Sequence, residues 1–226
     1  LVVMSIALLV WVGSVFVAML TKRDHMRMDG DGFVNVGLSL MFTFFNGIVS
    51  QSLELFKPFS NPNGKSTVSK DLSLTVGEAE WTSLLGVSIP AVLLYVVGMG
   101  GYFMMIVYLS PRQGYFNSPS FRRRYRFLFV KFRPDVYWFS LVILLKNMLV
   151  NLVFVISKTG MIQLYCVMLV MMLYLFVVFL FLPFRHNICN FVDVWMSIAV
   201  IFVVSVYLWF ADRESGSYDA SIGQLA

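Results

Sequence analysis

Lys146 stands inside a long run of aliphatic and aromatic residues, with Asn147 and Asn151, one helical turn apart, beside it. A lysine at mid-bilayer costs at least about 2.5–3.5 kcal/mol on insertion scales, so its ammonium must face protein or water, or shed its proton. Asp193, in the last apolar run, is the candidate partner. With Lys146 about ten residues into its helix and Asp193 a few into its own, the axial gap is about 10 Å. Side chains lean toward the helix N-terminus, which carries the Lys146 amine toward Asp193. Such a pair is either a gating or permeation element or a static interhelical ion pair, and both readings stay open.

A second pattern runs through an earlier apolar stretch. Asn35, Ser39, Thr43, Asn46, Ser50 and Glu54 follow one another at helical steps of three or four, among Phe, Leu, Val, Met and Ile. On a straight helix at about 100° per residue, all six fall within an arc of about 100°. The stripe is either a water- or ion-lined path or a buried seam that hydrogen-bonds to neighbouring helices.

A third feature is basic. Phe121-Arg-Arg-Arg-Tyr-Arg-Phe-Leu-Phe-Val-Lys-Phe-Arg-Pro interleaves Arg122, Arg123, Arg124, Arg126, Lys131 and Arg133 with aromatic rings. Such a segment can lie in the headgroup layer, its charges on lipid phosphates, or act as a plain juxtamembrane topology anchor.

Little else has the makings of chemistry. The two histidines, His25 and His186, fall in different connections, and Cys166 and Cys189 are not spaced as zinc ligands. At opposite ends of one helix the cysteines lie roughly 30 Å apart, beyond disulfide reach. Glu78 and Glu80 open a helix, where acidic residues favour the macrodipole. No GxGxxG, Walker loop, GxSxG or HExxH occurs. The expectation is therefore no enzyme, no metal and no cofactor.

The elements that must hold these groups are helices in a bilayer. Of 226 residues, 59% are hydrophobic and 13% charged, against about 25% charged in a soluble domain. A spanning helix needs about 20 mostly apolar residues. Six segments qualify: 1–20, 33–56, 82–109, 136–157, 161–182 and 191–211. The apolar runs are continuous, unlike the alternating ten-residue strands of a barrel. The fold expected is all-α, a polytopic membrane helix bundle with about six spans, followed by a polar, mobile tail over 212–226. Pro90, Gly98, Gly100 and Gly101 interrupt the third span and favour a kink or a close helix contact. The chain begins at Leu1, inside an apolar run, which suggests a piece of a longer protein. The net charge of +5 comes from loops between apolar runs, so no soluble basic face exists for nucleic acid. With alternating crossings, most Lys and Arg gather on the side of the first, third and fifth connections, which the positive-inside rule places in the cytosol.

Two stretches resemble a known family. Tyr125-Arg-Phe-Leu-Phe-Val-Lys-Phe-Arg-Pro-Asp-Val-Tyr-Trp-Phe-Ser-Leu-Val-Ile-Leu-Leu-Lys-Asn and Leu182-Pro-Phe-Arg-His-Asn-Ile-Cys-Asn-Phe-Val-Asp are similar to the C-terminal membrane region of transient-receptor-potential-like (polycystin-like) proteins of protists and fungi. The resemblance covers residues 122–211. It implies a membrane domain of a channel, transporter or sensor, in a plasma or ciliary membrane or an organelle membrane, with membrane lipids and protein partners or further copies of the chain around it. The sequence departs from a cation channel of that family in having no pore helix and Gly/Asp filter between its last two spans, where Pro183–Asn190 is too short to hold them. A non-catalytic membrane anchor or accessory subunit of a large membrane assembly is the alternative.

Overall fold

The structure is a computed structural model that describes residues 5, 8–13, 29–61, 65–112, 114, 118–157 and 159–223, and only the backbone of residues 60 and 212–223. The expected span 1–20 lies outside the described residues, apart from residue 5 and the short helix α1 at residues 8–13, whose Trp11 meets Phe33 edge to face at 6.2 Å.

Helices α2 (Gly30–Thr43) and α3 (Phe45–Ser52) follow, then a 3-10 turn, Glu54–Phe56. A small antiparallel hairpin pairs β1 (Pro58–Ser60) with β2 (Ser66–Val68), in the register Pro58↔Val68 and Ser60↔Ser66. Helix α4 (Ala79–Ala91) continues through a π-helical stretch, Val92–Gly98, into α5 (Met99–Arg112). Short helices α6 (Pro119–Arg124) and α7 (Arg126–Phe129) carry the basic connection. The 3-10 turn Pro134–Val136 leads into α8 (Phe139–Ile156), α9 (Gly160–Phe181) and α10 (Asn187–Gly223). The all-α membrane bundle stands, with one hairpin added.

Among the described residues, four helices are long and apolar enough to cross a membrane: Ala79–Arg112, Phe139–Ile156, Gly160–Phe181 and Asn187–Ala211. Hydrocarbon offers no partner to a peptide group, so a crossing segment must bond its own backbone, as these helices do. Pro90 does not end the third expected span. The helix runs past it and widens into the π-helical turns, where the Met99 amide donates to the Leu94 carbonyl five residues back. The last crossing segment ends at Ala211, but its helix does not. Helix α10 continues to Gly223, so the tail expected to be mobile has helical backbone over 212–223.

The expected straight helix over 33–56 is broken. Helices α2 and α3 meet at Phe44 with a bend of 56°. The Thr43 hydroxyl donates to the Ser39 carbonyl at 2.9 Å, the back-bond to the preceding turn that bends helices. The pair still crosses. Near its start, the Asn35 amide donates to the Arg124 carbonyl in the basic connection at 3.0 Å. Past its other end, Leu55 accepts from the Trp81 indole, at the opposite end of the α4–α5 helix. Counted this way the described residues hold four continuous spans and one broken one, and the remaining expected span, 1–20, lies largely outside them.

Connections one, three and five share an end, as alternation requires. The start of α2 meets the basic connection, and the Arg133 amide donates to the Pro183 carbonyl at 2.9 Å. Packing is tightest where α3, α5, α7 and α8 meet, around Phe45, Val49, Phe103, Val107 and Leu128. A second cluster joins Phe132, Val136 and Phe139 to Tyr174 and Val178 on α9, and a third joins α9 to α10 through Val167, Met171, Val204 and Leu208. Large apolar side chains elsewhere face outward, Val87, Phe176 and Phe202 among them, as lipid contact requires.

The last turn of the π-helical stretch leaves little room for a side chain. A Cβ at Gly98 would sit 3.3 Å from the Leu93 carbonyl oxygen, whereas one at Gly101 would meet nothing within 4 Å. Gly98→Ala should lower the thermal midpoint of the detergent-purified protein by about 2–4 °C, the shift expected for about 1 kcal/mol in a chain of this size. Gly101→Ala should leave it unchanged or raised, since alanine is the better helix former by about 1 kcal/mol.

Candidate functional site

Lys146 and Asp193 do come together, through a residue that the sequence reading passed over. The Lys146 ammonium lies over the Tyr174 ring, 4.1 Å from its centroid. The Tyr174 hydroxyl donates to Asp193 Oδ2 at 2.9 Å. Tyr174 is buried, at 4% exposure, and the other two are half-buried. The direct ion pair expected is not formed: among the described residues, no ion pair within 4.0 Å joins Lys146 to Asp193. The ring takes the cation on its face and passes a hydrogen bond to the carboxylate.

Helix boundaries explain why the three groups meet. Helix α8 begins at Phe139 and α10 at Asn187, each displaced from the expected 136 and 191. Lys146 is seven residues from its helix start, Asp193 six from its own, and Tyr174 seven from the end of α9. At about 1.5 Å per residue, all three lie about 10 Å in from the basic end of the bundle. The expected axial gap between Lys146 and Asp193 closes. The Ser197 hydroxyl, one turn on, is spent on the Asp193 carbonyl at 2.8 Å. The hydroxyl was a signal only in part: a buried O–H needs a partner, but nothing along α9 sets Tyr174 apart from Tyr165, which is exposed.

The stripe over α2 and α3 does not act as one surface. Its first part runs from the basic end, where Asn35 holds Arg124, to the bend, where Thr43 bonds back to Ser39. Beyond the bend, Asn46 Oδ1 accepts from Asn151 Nδ2 on α8 at 2.8 Å. The same Asn151 amide also donates to the carbonyl of Asn147 at 2.8 Å. The last part turns to Lys57, whose ammonium donates to the Ser50 hydroxyl at 3.0 Å and to the Glu54 carboxylate at 3.3 Å. The expected continuous arc required a straight helix, and the 56° bend divides it into three local pairings. Lys57 was legible only as a loop charge.

The basic connection is divided as well. Arg123 pairs with Asp29 at 3.2 Å and Arg124 with Asp31, tying α6 to the start of α2. The Asp31 carboxylate, hydrogen-bonded to Arg124, raises that guanidinium's already high pKa and holds it charged. Arg133 pairs with Asp135 at 2.8 Å. Arg122, Arg126 and Lys131 enter no ion pair among the described residues. These last are exposed at the end of the bundle that the headgroup layer would meet.

Among the described residues no group of three or more His, Cys, Asp or Glu could hold a metal ion, and Cys166 and Cys189 are both free. Comparison with protein-family models, with curated proteins and with solved structures finds no match for this chain.

Two substitutions separate the two roles of Tyr174. Tyr174→Phe keeps the ring under Lys146 and loses the bond to Asp193, and should cost about 0.6–2 kcal/mol in unfolding free energy. Tyr174→Leu loses the ring as well, and should cost about 2 kcal/mol more when the cation is desolvated. Equal losses in a chemical-denaturation series in detergent would show that the ring face contributes nothing to holding Lys146.

Proposed function

We propose that this integral membrane protein is the membrane domain of a transient-receptor-potential-like channel, transporter or sensor, and that Lys146, Tyr174 and Asp193 form its charge-handling element. The single observation behind this reading is the Lys146 ammonium on the Tyr174 ring, with Asp193 behind it, about 10 Å into apolar spans. Ionisable residues within spans are expensive, and they mark ion paths, proton relays and voltage-sensing charges. An elementary charge moved across the full membrane potential changes energy by about 2.3 kcal/mol per 100 mV. A cation on a ring face, next to a carboxylate that it does not touch directly, has two places to rest and a short distance between them.

One observation favours the second reading, a non-catalytic membrane anchor or accessory subunit. The polar stripe closes on itself, with Asn46 bonded to Asn151 and Ser50 to Lys57. A seam of direct hydrogen bonds holds helices together without a water path.

Liposome reconstitution decides between the two. On the first reading, the purified chain passes monovalent cations under an imposed potential, and both Lys146→Met and Asp193→Asn reduce that flux at least about tenfold or shift its dependence on potential, about 1.4 kcal/mol in effect. Asn46→Leu, placed away from the charge cluster, leaves it within about twofold. If the wild-type chain passes no ion at any imposed potential, and cells carrying Lys146→Met are indistinguishable from wild type, the anchor reading takes its place.

A further inference from the structure

Two connections far apart in the chain are stitched together at the basic end. Phe132 and Phe184 form an antiparallel bridge. The Arg133 amide donates to the Pro183 carbonyl at 2.9 Å and the Arg185 amide to the Lys131 carbonyl at 3.1 Å. Just before this bridge Leu182 closes α9 with φ at 39°, a left-handed backbone that costs a leucine roughly 1–3 kcal/mol and persists only where its surroundings impose it. The elbow is thus set by tertiary bonds, and its effect is to bring the Arg185 side chain beside Arg133.

The two arginines line one cavity of about 630 Å³ with Pro111, Phe129, Phe132 and Tyr137 among its walls. It opens among the end of α5 and the starts of α8 and α10, at the margin of the spans. The Arg133 guanidinium gives Nη2 to Asp135, which leaves it further N–H groups to donate. Arg185 enters no ion pair among the described residues. The volume falls in the range of small-molecule sites.

We infer that this cavity binds the phosphate of an anionic phospholipid from the leaflet at the basic end, with Arg133 and Arg185 as its two ligands. Guanidinium is the side chain suited to phosphate, offering paired N–H donors that match its oxygens. Basic pockets between spanning helices at the cytoplasmic face suit anionic head groups. The apolar and aromatic walls select the source of the phosphate: they fit the glycerol and first methylenes of a lipid, and offer nothing to a free phosphate ion. The site narrows the six-residue basic segment to one of its members, and adds an arginine from a different connection. It rests on the membrane placement alone and not on ion movement, so a chain that conducts nothing could still hold the lipid.

The test uses the full chain in nanodiscs of phosphatidylcholine carrying a minor fraction of phosphatidic acid, with the lipid retained after detergent extraction counted by mass spectrometry. The wild-type chain should retain phosphatidic acid over phosphatidylcholine. The double variant Arg133→Gln/Arg185→Gln should lose that preference by about tenfold or more. Arg122→Gln/Arg126→Gln, with the same change in charge outside the cavity, should keep it. Arg185→Lys, which retains the charge but not the paired donors, should fall between and guards against a folding defect in the double variant. Equal losses in the two double variants would overturn the site in favour of a diffuse basic surface. Displacement of the lipid by inorganic phosphate at matching concentration would overturn it in favour of a free anion.

Discussion

Inside a bilayer no water waits to satisfy a polar group, so each one must find a partner in the protein or face the end of the bundle. This constraint explains most of what the chain does with its few polar residues. Lys146 could not be left among lipid tails, and it rests on the Tyr174 ring. Tyr174 in turn passes its hydroxyl to Asp193, and Asn151 bonds both Asn46 and its own preceding turn. Helices gain little from excluding water from one another here, because lipid is as apolar as leucine. Close packing and these few bonds therefore carry the specificity of assembly.

The break between α2 and α3 follows from the same constraint. A straight helix would present Asn35 through Glu54 as one line of polar groups, and one neighbouring surface would have to satisfy all of them. The bend at Phe44 instead delivers Asn46 to α8 and leaves Ser50 and Glu54 to Lys57. Phe45 is buried by the same turn, at 1% exposure, and sits close to Gly100 in the widened helix opposite. The broken span and the π-helical stretch pack against each other, so two departures from regular helix share one interface.

At the basic end the charges do two kinds of work. Arg123 and Arg124 bind acids at the start of α2 and lock that end to the basic connection. Exposed pairs of this kind contribute little energy singly, about 0–1 kcal/mol, but they choose which elements lie together. The bridge between Phe132 and Phe184 does the same for the last two spans, and places Arg185 where the linear sequence gave no reason to look for it.

Composition and run length by themselves determined that this is a helical membrane protein, because about 20 apolar residues in a row have few other stable fates. They also set which connections share a side, through the alternation of the crossings, and marked Lys146, Asp193, Asn46 and Asn151 as groups in need of partners. Four spans were legible to within a few residues at most of their ends. Periodicity could not reveal that the second was broken, since a back-bond from Thr43 to Ser39 leaves the hydropathy pattern untouched. Nor could it show that Tyr174 stands between the lysine and the aspartate, because an aromatic ring in an apolar helix reads as ordinary lipid-facing bulk. Depth and azimuth, which decide whether two side chains touch, depend on where each helix begins and how it is rotated against its neighbour. A shift of three or four residues at the starts of α8 and α10 was enough to bring Lys146 and Asp193 to one depth, where an axial gap of about 10 Å was expected. Only the tertiary structure decides that, because partner choice depends on distances across helices and the sequence specifies spacing only along them.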